Sequence, residues 1–449
     1  MRWISTLATA LAFSVGRGVS AAPNADLVEA AVLASADLIK YWQCPVPLRP
    51  DEALSRIYLE DENLYAVSDA GVVYAIDADV GLIRWSVPIA EPPSQVFRPC
   101  HATPADANEI VPPETYVAST SHLRVFHRRT GKLLGEMKLT FNPAGPPIAD
   151  SQAIYIGSVN SRFYALKPIR EGLTVLAPKK QGRKWFAIIM LPDGKRLYHE
   201  ADSLAKVREW QRVWVEKLGG LQLERKAPLR LWQIDTEGNV KCQPAVVGRI
   251  AYIPSDGGRL FACGLANKRK KWSVTLPGGI FGKPLVGKRS VYVATAARSV
   301  YAMDRLDGTR RWKCHIPVPF KRNGYLTARL IYQPGEPAGI YAIDPKSGAR
   351  KWSFDQASHF LAERGDRVYL FTPGQAIHQV DAKTGQAVTS MPCPAATLCV
   401  GNTRDETLYL AADDGRLMCI RPKGVPYLRR AKFERAAGGA LRKSPWQKK

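Results

Sequence analysis

"YAIDPKSGARKWSF", residues 341–354, is a strand, a tight turn closed by Gly348, and a return strand that opens on Trp352. The same plan stands at 73–87 ("VYAIDADVGLIRWSV"), 260–274 ("LFACGLANKRKKWSV") and 300–314 ("VYAMDRLDGTRRWKC"). Trp232, Trp272, Trp312 and Trp352 follow one another at 40-residue intervals. A fixed period of this length is the mark of a propeller or a solenoid, and it settles the architecture before any motif is considered. Each hairpin is preceded by another short apolar strand, as in "LYAVSDAG" (64–71), "AYIPSDGG" (251–258), "VYVATAAR" (291–298) and "LYLAADDG" (408–415). Asp-Gly and similar small pairs supply the positive φ angles that a two-residue hairpin turn requires.

Eight such units are countable, near residues 64, 115, 154, 251, 291, 330, 368 and 408. The eighth ends after its third strand. Its missing fourth strand is at the other end of the chain, where "KYWQCPVPL" (40–48) matches "RRWKCHIPVP" (310–319) in order and spacing. The expected fold is therefore all-β: an eight-bladed β-propeller of four-stranded antiparallel blades, closed by the N-terminal strand and carrying a small α+β insertion. Closure leaves only short, protected sheet edges, whereas a linear array would need capping repeats.

The repeated Ala-x-Asp, turn Gly and Trp resemble the tryptophan-docking motif of pyrroloquinoline-quinone-type eight-bladed propellers. The motif is complete at Ala75, Asp77, Gly81 and Trp85, at Ala302, Asp304, Gly308 and Trp312, and at Ala342, Asp344, Gly348 and Trp352. Trp42, Trp232 and Trp272 complete the docking set, although Gly264 and Lys268 stand where the unit near 251 should have Asp and Gly. Gly135 and Thr389 occupy the Trp position in the units near 115 and 368. In the resembled family the indole lies flat against the neighbouring blade and the Ala leaves room for it, which implies a structural role. Each docked indole would bury on the order of 150–250 Å². Cys44, Cys314 and Cys419 fall on the same strand faces and read as small core residues. The recurring Asp77, Asp304, Asp344 and Asp381 open turns, where a carboxylate accepts backbone N–H bonds.

The expected divisions are a signal peptide at 1–21, a linker or short helix at 22–37, the propeller at 38–168 and 229–422, an insertion at 169–228 and a disordered tail at 423–449. The leader has Arg2, an apolar run too short to span a bilayer, and a small-residue ending before Ala22. No Cys follows it for lipidation and no transmembrane helix is evident, so the protein is expected in the periplasm or secreted, as a monomer. The chain has 64 Lys and Arg against 40 Asp and Glu, a net charge of +24. The excess is concentrated: residues 167–230 hold 15 basic and 7 acidic side chains, and residues 421–449 hold 10 and 1. This points to an anionic partner such as a cell-surface polymer or lipid headgroups, while export argues against nucleic acid.

The insertion contains a hairpin with Asp193-Gly194 at its turn. A helix follows, capped by Asp202 or Ser203 and ended by Gly219, with Val207, Trp210, Trp214 and Leu218 on one stripe. The stripe is expected to pack on its own hairpin. A second, Pro-rich stretch from Ala90 to Pro113 extends a loop near the first blades. Because long loops on rigid scaffolds carry binding, Arg183, Lys184, Trp185, Lys195 and Arg196 are the candidate partner-binding residues.

Chemistry finds little support. None of the seven His shows metal-ligand spacing, and no phosphate-cradling Gly loop, nucleophile elbow or haem-attachment motif occurs. Of the eight cysteines, Cys393 and Cys399 lie close enough in sequence to pair, with no CxxC present. The resemblance brings in quinoprotein dehydrogenases, which sandwich pyrroloquinoline quinone between a Trp and a disulfide of adjacent cysteines with calcium nearby. This chain has no Cys-Cys pair, and no position matches the calcium ligands. It is nearer to the exported non-enzymatic members, including the outer-membrane assembly propeller. The expected function is thus a non-catalytic scaffold for protein–protein interaction in the cell envelope, without catalytic, cofactor or metal residues. A quinone-dependent oxidoreductase and a binder of anionic polymer are the alternatives.

Overall fold

The computed structural model describes residues 25–104, 111–167, 174–176, 178–191, 195–218 and 229–425. The leader, the Asp193-Gly194 turn, Gly219 and the tail beyond 425 lie outside them. Among the described residues nine four-stranded sheets are present. Eight follow in chain order as blades: blade 1 (Leu54–Pro88), blade 2 (Cys100–Lys138), blade 3 (Ile148–Lys167 with Leu229–Asp235), blade 4 (Ala245–Thr275), blade 5 (Leu285–His315), blade 6 (Tyr325–Phe354), blade 7 (His359–Pro392) and blade 8 (Leu398–Pro422 with Leu38–Pro45). The ninth belongs to the insertion.

Blade 8 closes the ring. The strand Leu38–Pro45 pairs antiparallel with Arg416–Pro422, placing Trp42 opposite Cys419 and Cys44 opposite Leu417. The short helix Ala30–Ala34 precedes this strand, and its Leu33 is buried with residues of blades 7 and 8. Between the sheets lie eight hydrophobic clusters, each drawn from two consecutive blades. Stability is therefore shared around the ring: a single twisted sheet has two apolar faces, and only a neighbour on each side can cover both.

A common row crosses every blade. Its second strand contributes a Tyr throughout; in blades 1, 3, 4, 5 and 6 the third adds the Ala of the repeat and the fourth the Trp, as in Tyr65–Ala75–Trp85 and Tyr332–Ala342–Trp352, while blade 8 sets Trp42 opposite Cys419. A β-bulge follows the Ala in each complete row, which aims the Trp side chain out of its own sheet. The indole then lies on the turn glycine of the next blade. A Cβ added to Gly81, Gly308 or Gly348 would sit 2.6–2.7 Å from the ring of Trp42, Trp272 or Trp312 respectively, and Gly131 and Gly385 face Trp85 and Trp352 in the same way. All five glycines have φ between +68° and +77°. Here glycine is required twice over, by the left-handed backbone and by the missing Cβ.

Each of these five indoles also donates its N–H to a carbonyl of the next blade's turn: Trp42 to Ala78 (3.2 Å), Trp85 to Arg128 (3.0 Å), Trp272 to Arg305 (3.0 Å), Trp312 to Pro345 (3.1 Å) and Trp352 to Ala382 (2.9 Å). The hydroxyls of Tyr409 and Tyr292 donate to the same Ala78 and Pro345 carbonyls. The turn aspartates act as the sequence implied. Asp344 Oδ1 accepts from the N–H of Lys346 and Ser347, and Asp381 Oδ1 from those of Lys383 and Thr384.

The two exceptions to the Trp rule have one cause. Blade 2 carries Gly135 opposite Val125, and its neighbour, blade 3, has the insertion in place of a turn between its third and fourth strands. Blade 7 carries Thr389 opposite Gln379, and its neighbour, blade 8, has the two ends of the chain there. Where the next blade offers no glycine turn, there is nothing for an indole to dock on. Trp232 is the intermediate case: it faces blade 4, whose turn has Lys268 at φ +61°. A cavity of about 330 Å³ lies beside it, between Tyr155, Leu231 and Leu265.

Candidate functional site

Two regions stand out from the repeat. The first is the insertion. Strand Lys184–Met190 is central in its sheet and pairs with Arg196–Ala201 and with the short strands Thr174–Val175 and Lys179–Gln181. Helix Leu204–Leu218 packs on this sheet. Ser203 caps it, its Oγ accepting from the N–H of Lys206. Leu176, Ile188, Met190 and Val207 are buried, and the Gln211 amide donates to the Leu176 carbonyl at 2.8 Å. Trp210 stacks on His199 with ring centroids 5.1 Å apart, and Lys217 stands over Trp214. The insertion thus has a small core of its own and meets blade 3 through the Arg196 guanidinium, which donates to the Ser151 carbonyl.

The five candidate partner-binding residues fall into two groups. Arg183 and Lys184 are exposed beside half-buried Trp185, with Lys184 ion-paired to Glu200. Lys195 and Arg196 lie at the other end of the hairpin, since Arg196 pairs with Met190 and Trp185 with Ala201. The strand rise of about 3.3 Å per residue puts these ends roughly 16 Å apart. Arg183, Lys184 and Trp185 form the distal tip, whereas Arg196 is an anchor to the ring.

The second region is the hub. The first strand of each blade is innermost, and several of these are only two or three residues long, so loops line much of the axis. A cavity of about 510 Å³ opens there, bounded by residues of blades 1, 6 and 7 and by the loops that lead into blades 2 to 6. Its walls include Arg56, Arg98, Lys241, Lys321 and Arg322 and no carboxylate. Arg98 bonds Glu60 at 2.9 Å, Arg322 bonds Glu336 at 2.9 Å, and Lys241 meets Asp256 at 2.9 Å. Burial, with the Arg322 charge, pushes the His359 imidazole down to about 4. Burial and the Arg98 charge lower the Lys283 ammonium below its usual range.

The donor set does not suit a calcium-assisted quinone. Calcium selects carboxylate and carbonyl oxygens, whereas the hub wall offers cations, and Cys242 is its single sulfur. Among the described residues one trio, Asp61, Glu62 and His101, is close enough to consider for a metal. Its valences are already used. His101 Nδ1 meets Asp61 at 2.8 Å and Nε2 meets the Tyr65 hydroxyl at 2.8 Å, while Arg128 sits against both carboxylates. It is a polar clasp between blades 1 and 2, with His101 buried and Asp61 at the surface. All eight cysteines are free, so Cys393 and Cys399 are not joined. Burial pushes the thiols of Cys393 and Cys419 up to about 12 and that of Cys44 to about 11. Such groups are poor nucleophiles at neutral pH.

Docked tryptophans, bulged outer strands and a shared last blade define a tryptophan-docking, quinoprotein-type β-propeller. The family described as outer membrane protein assembly factor BamB matches residues 39–215 and 224–319, and the chain belongs to that family. The crystal structure of BamB from Moraxella catarrhalis aligns with 87% of this chain and 99% of that one, at a TM-score of 0.58 and 13% identity. The computationally designed Ika8 protein aligns over 82% of this chain and 96% of its own, with a TM-score of 0.48 and 11% identity. No curated protein matches the sequence.

The Tyr row was missed in the sequence, although every one of the eight units shows it: Tyr65, Tyr116, Tyr155, Tyr252, Tyr292, Tyr332, Tyr369 and Tyr409. The hub was missed for a different reason. Its residues come from inner strands and from loops of unequal length, so no local spacing brings Arg56, Arg98 and Lys321 together.

Proposed function

We propose that this protein is an exported, non-catalytic scaffold of the cell envelope that holds a protein partner. The observation that carries the reading is membership of a family named for outer membrane protein assembly, on a ring whose repeated Trp-on-Gly geometry serves blade docking. No helix among the described residues is long and apolar enough to cross a membrane. The partner surface is the distal tip of the insertion, Arg183, Lys184 and Trp185, where an aromatic side chain is flanked by basic ones. Aromatic and Arg side chains are the usual anchors of interfaces. The self-contained core of the insertion supports treating it as a module held apart from the ring.

The test is capture from envelope extract by the full chain and by a chain lacking residues 170–227. The reading expects the shortened chain to keep its cooperative unfolding transition and lose most of the captured protein. Equal capture by both chains, or capture abolished by about 0.5 M salt and restored by an anionic polymer alone, would put the polymer reading in its place.

A further inference from the structure

The hub holds more positive charge than its surroundings neutralise. Six cations face the axis: Arg56 from blade 1, Arg98, Lys241 and Lys283 from three separate loops, and Lys321 with Arg322 from a fourth. Three carboxylates answer them, Glu60 on Arg98, Asp256 on Lys241 and Glu336 on Arg322. Arg56 and Lys321 have no carboxylate within ion-pair range among the described residues, and the Lys283 ammonium reaches only the Gln243 side-chain oxygen, at 3.3 Å. Three positive charges are therefore left over, with exposed Arg56 and Lys321 standing around the mouth of the recess and Lys283 behind them.

Such an arrangement works against folding. Like charges gathered around one opening repel one another, and the protein walls focus their field lines toward the cavity. Burial above all, with the neighbouring Arg322 and Arg98 charges adding to it, holds His359 and Lys283 below their usual ranges. Surface lysines that serve only solubility spread out; these converge from four loops and a strand. Two cations are backed by aromatic faces, Arg98 over Tyr58 at 5.6 Å and Lys241 over Phe281 at 5.9 Å. The cavity, at about 510 Å³, lies within the range of roughly 300–1,000 Å³ that small-molecule sites occupy.

We propose that the hub cavity is a binding site for a small multivalent anion, a di- or tricarboxylate or a phosphate ester, gripped by Arg56 and Lys321 and completed by Lys241 and Arg322. The two unpaired cations supply the net attraction. The two already paired ones turn between their carboxylate and the ligand. This goes beyond the scaffold reading and does not depend on it, because the distal tip of the insertion is separate from the axis.

The full chain is titrated by calorimetry at low ionic strength with citrate, with pyrophosphate and with acetate. The expected result is saturable one-to-one binding of citrate or pyrophosphate and none of acetate. Arg56→Gln with Lys321→Gln should weaken it about tenfold or more, as expected when two of the charges holding a multivalent ion are lost. A charge-matched control, Arg269→Gln with Lys270→Gln on the exposed outer turn of blade 4, should leave it unchanged. Preference between the citrate and pyrophosphate arms tells carboxylate from phosphate ligands. Absence of saturable binding in both arms, or equal weakening by the control pair, would overturn the proposal. Retained near-ultraviolet circular dichroism in the hub variant separates loss of the site from loss of the fold.

Discussion

Replacing Gly348 by Ala tests the docking geometry at one atom. The added Cβ would lie 2.6 Å from Trp312 Cδ2, about 0.8 Å inside ordinary contact, at a backbone φ of +74°. The left-handed conformation costs an Ala about 1–2 kcal/mol. Displacing the indole adds an overpacking cost of about 1–3 kcal/mol, and loss of its 3.1 Å bond to the Pro345 carbonyl adds about 1 kcal/mol. The total is roughly 3–6 kcal/mol. Gly374 supplies the control, since it has nearly the same φ, +70°, with nothing within 4 Å of the added Cβ. Gly374→Ala should therefore cost only the backbone term of about 1–2 kcal/mol. Urea unfolding followed by tryptophan fluorescence measures both. In a double-mutant cycle, Trp312→Ala should remove most of the excess penalty at Gly348 and none at Gly374. Equal losses for the two glycine variants, or no coupling to Trp312, would refute the account of how neighbouring blades hold together.

Three further expectations can be checked on the purified chain. Trp42→Ala should destabilise the protein by about 3–5 kcal/mol, because it removes the buried indole that joins the last blade to the first, and circular dichroism against urea reads the change. Since the thiols are free and pushed upward by burial, a colorimetric disulfide reagent at pH 8 should react slowly with the folded chain and fully in denaturant, with identical masses before and after reduction. Protonation of His359 is disfavoured in the folded state, with its imidazole at about 4 against about 6.5 unfolded. Its contribution to stability is full above pH 6.5, falls by at most about 1.4 kcal/mol per pH unit as pH drops toward 4, and levels below that. The difference in urea midpoint between the protein and His359→Asn, measured at pH 7.5 and pH 5, should show this slope.

The fold was legible because its determinants are local and repeated. The 40-residue spacing of Trp232, Trp272, Trp312 and Trp352, the Asp-to-Gly turns and the orphan strand at Trp42 each report on contacts between nearest neighbours, and the ring follows from summing them. Departures from the motif were legible as letters but not as causes: Gly135 and Thr389 make sense only once the following blade is seen to lack a turn. The hub was opaque for the opposite reason. Arg56, Arg98 and Lys321 are separated by tens to hundreds of residues, lie in one strand and two irregular loops, and acquire their meaning from a convergence that no periodicity encodes. The insertion fell between these cases, with its helix and hairpin readable while the separation of its basic residues into a tip and an anchor required the strand register.

Sharing one blade between the two ends of the chain orders events in time. During synthesis the segment around Trp42 emerges first, yet its hydrogen-bonding partner at Arg416–Pro422 is made last, so an apolar strand must wait, unpaired, for nearly the whole of translation. Formation of that sheet has the longest loop to close and is the slowest kind of pairing. Until it is complete the nascent ring is open to proteases and to pairing with another copy's free edge, and only a chain that includes Arg416–Pro422 can lock itself.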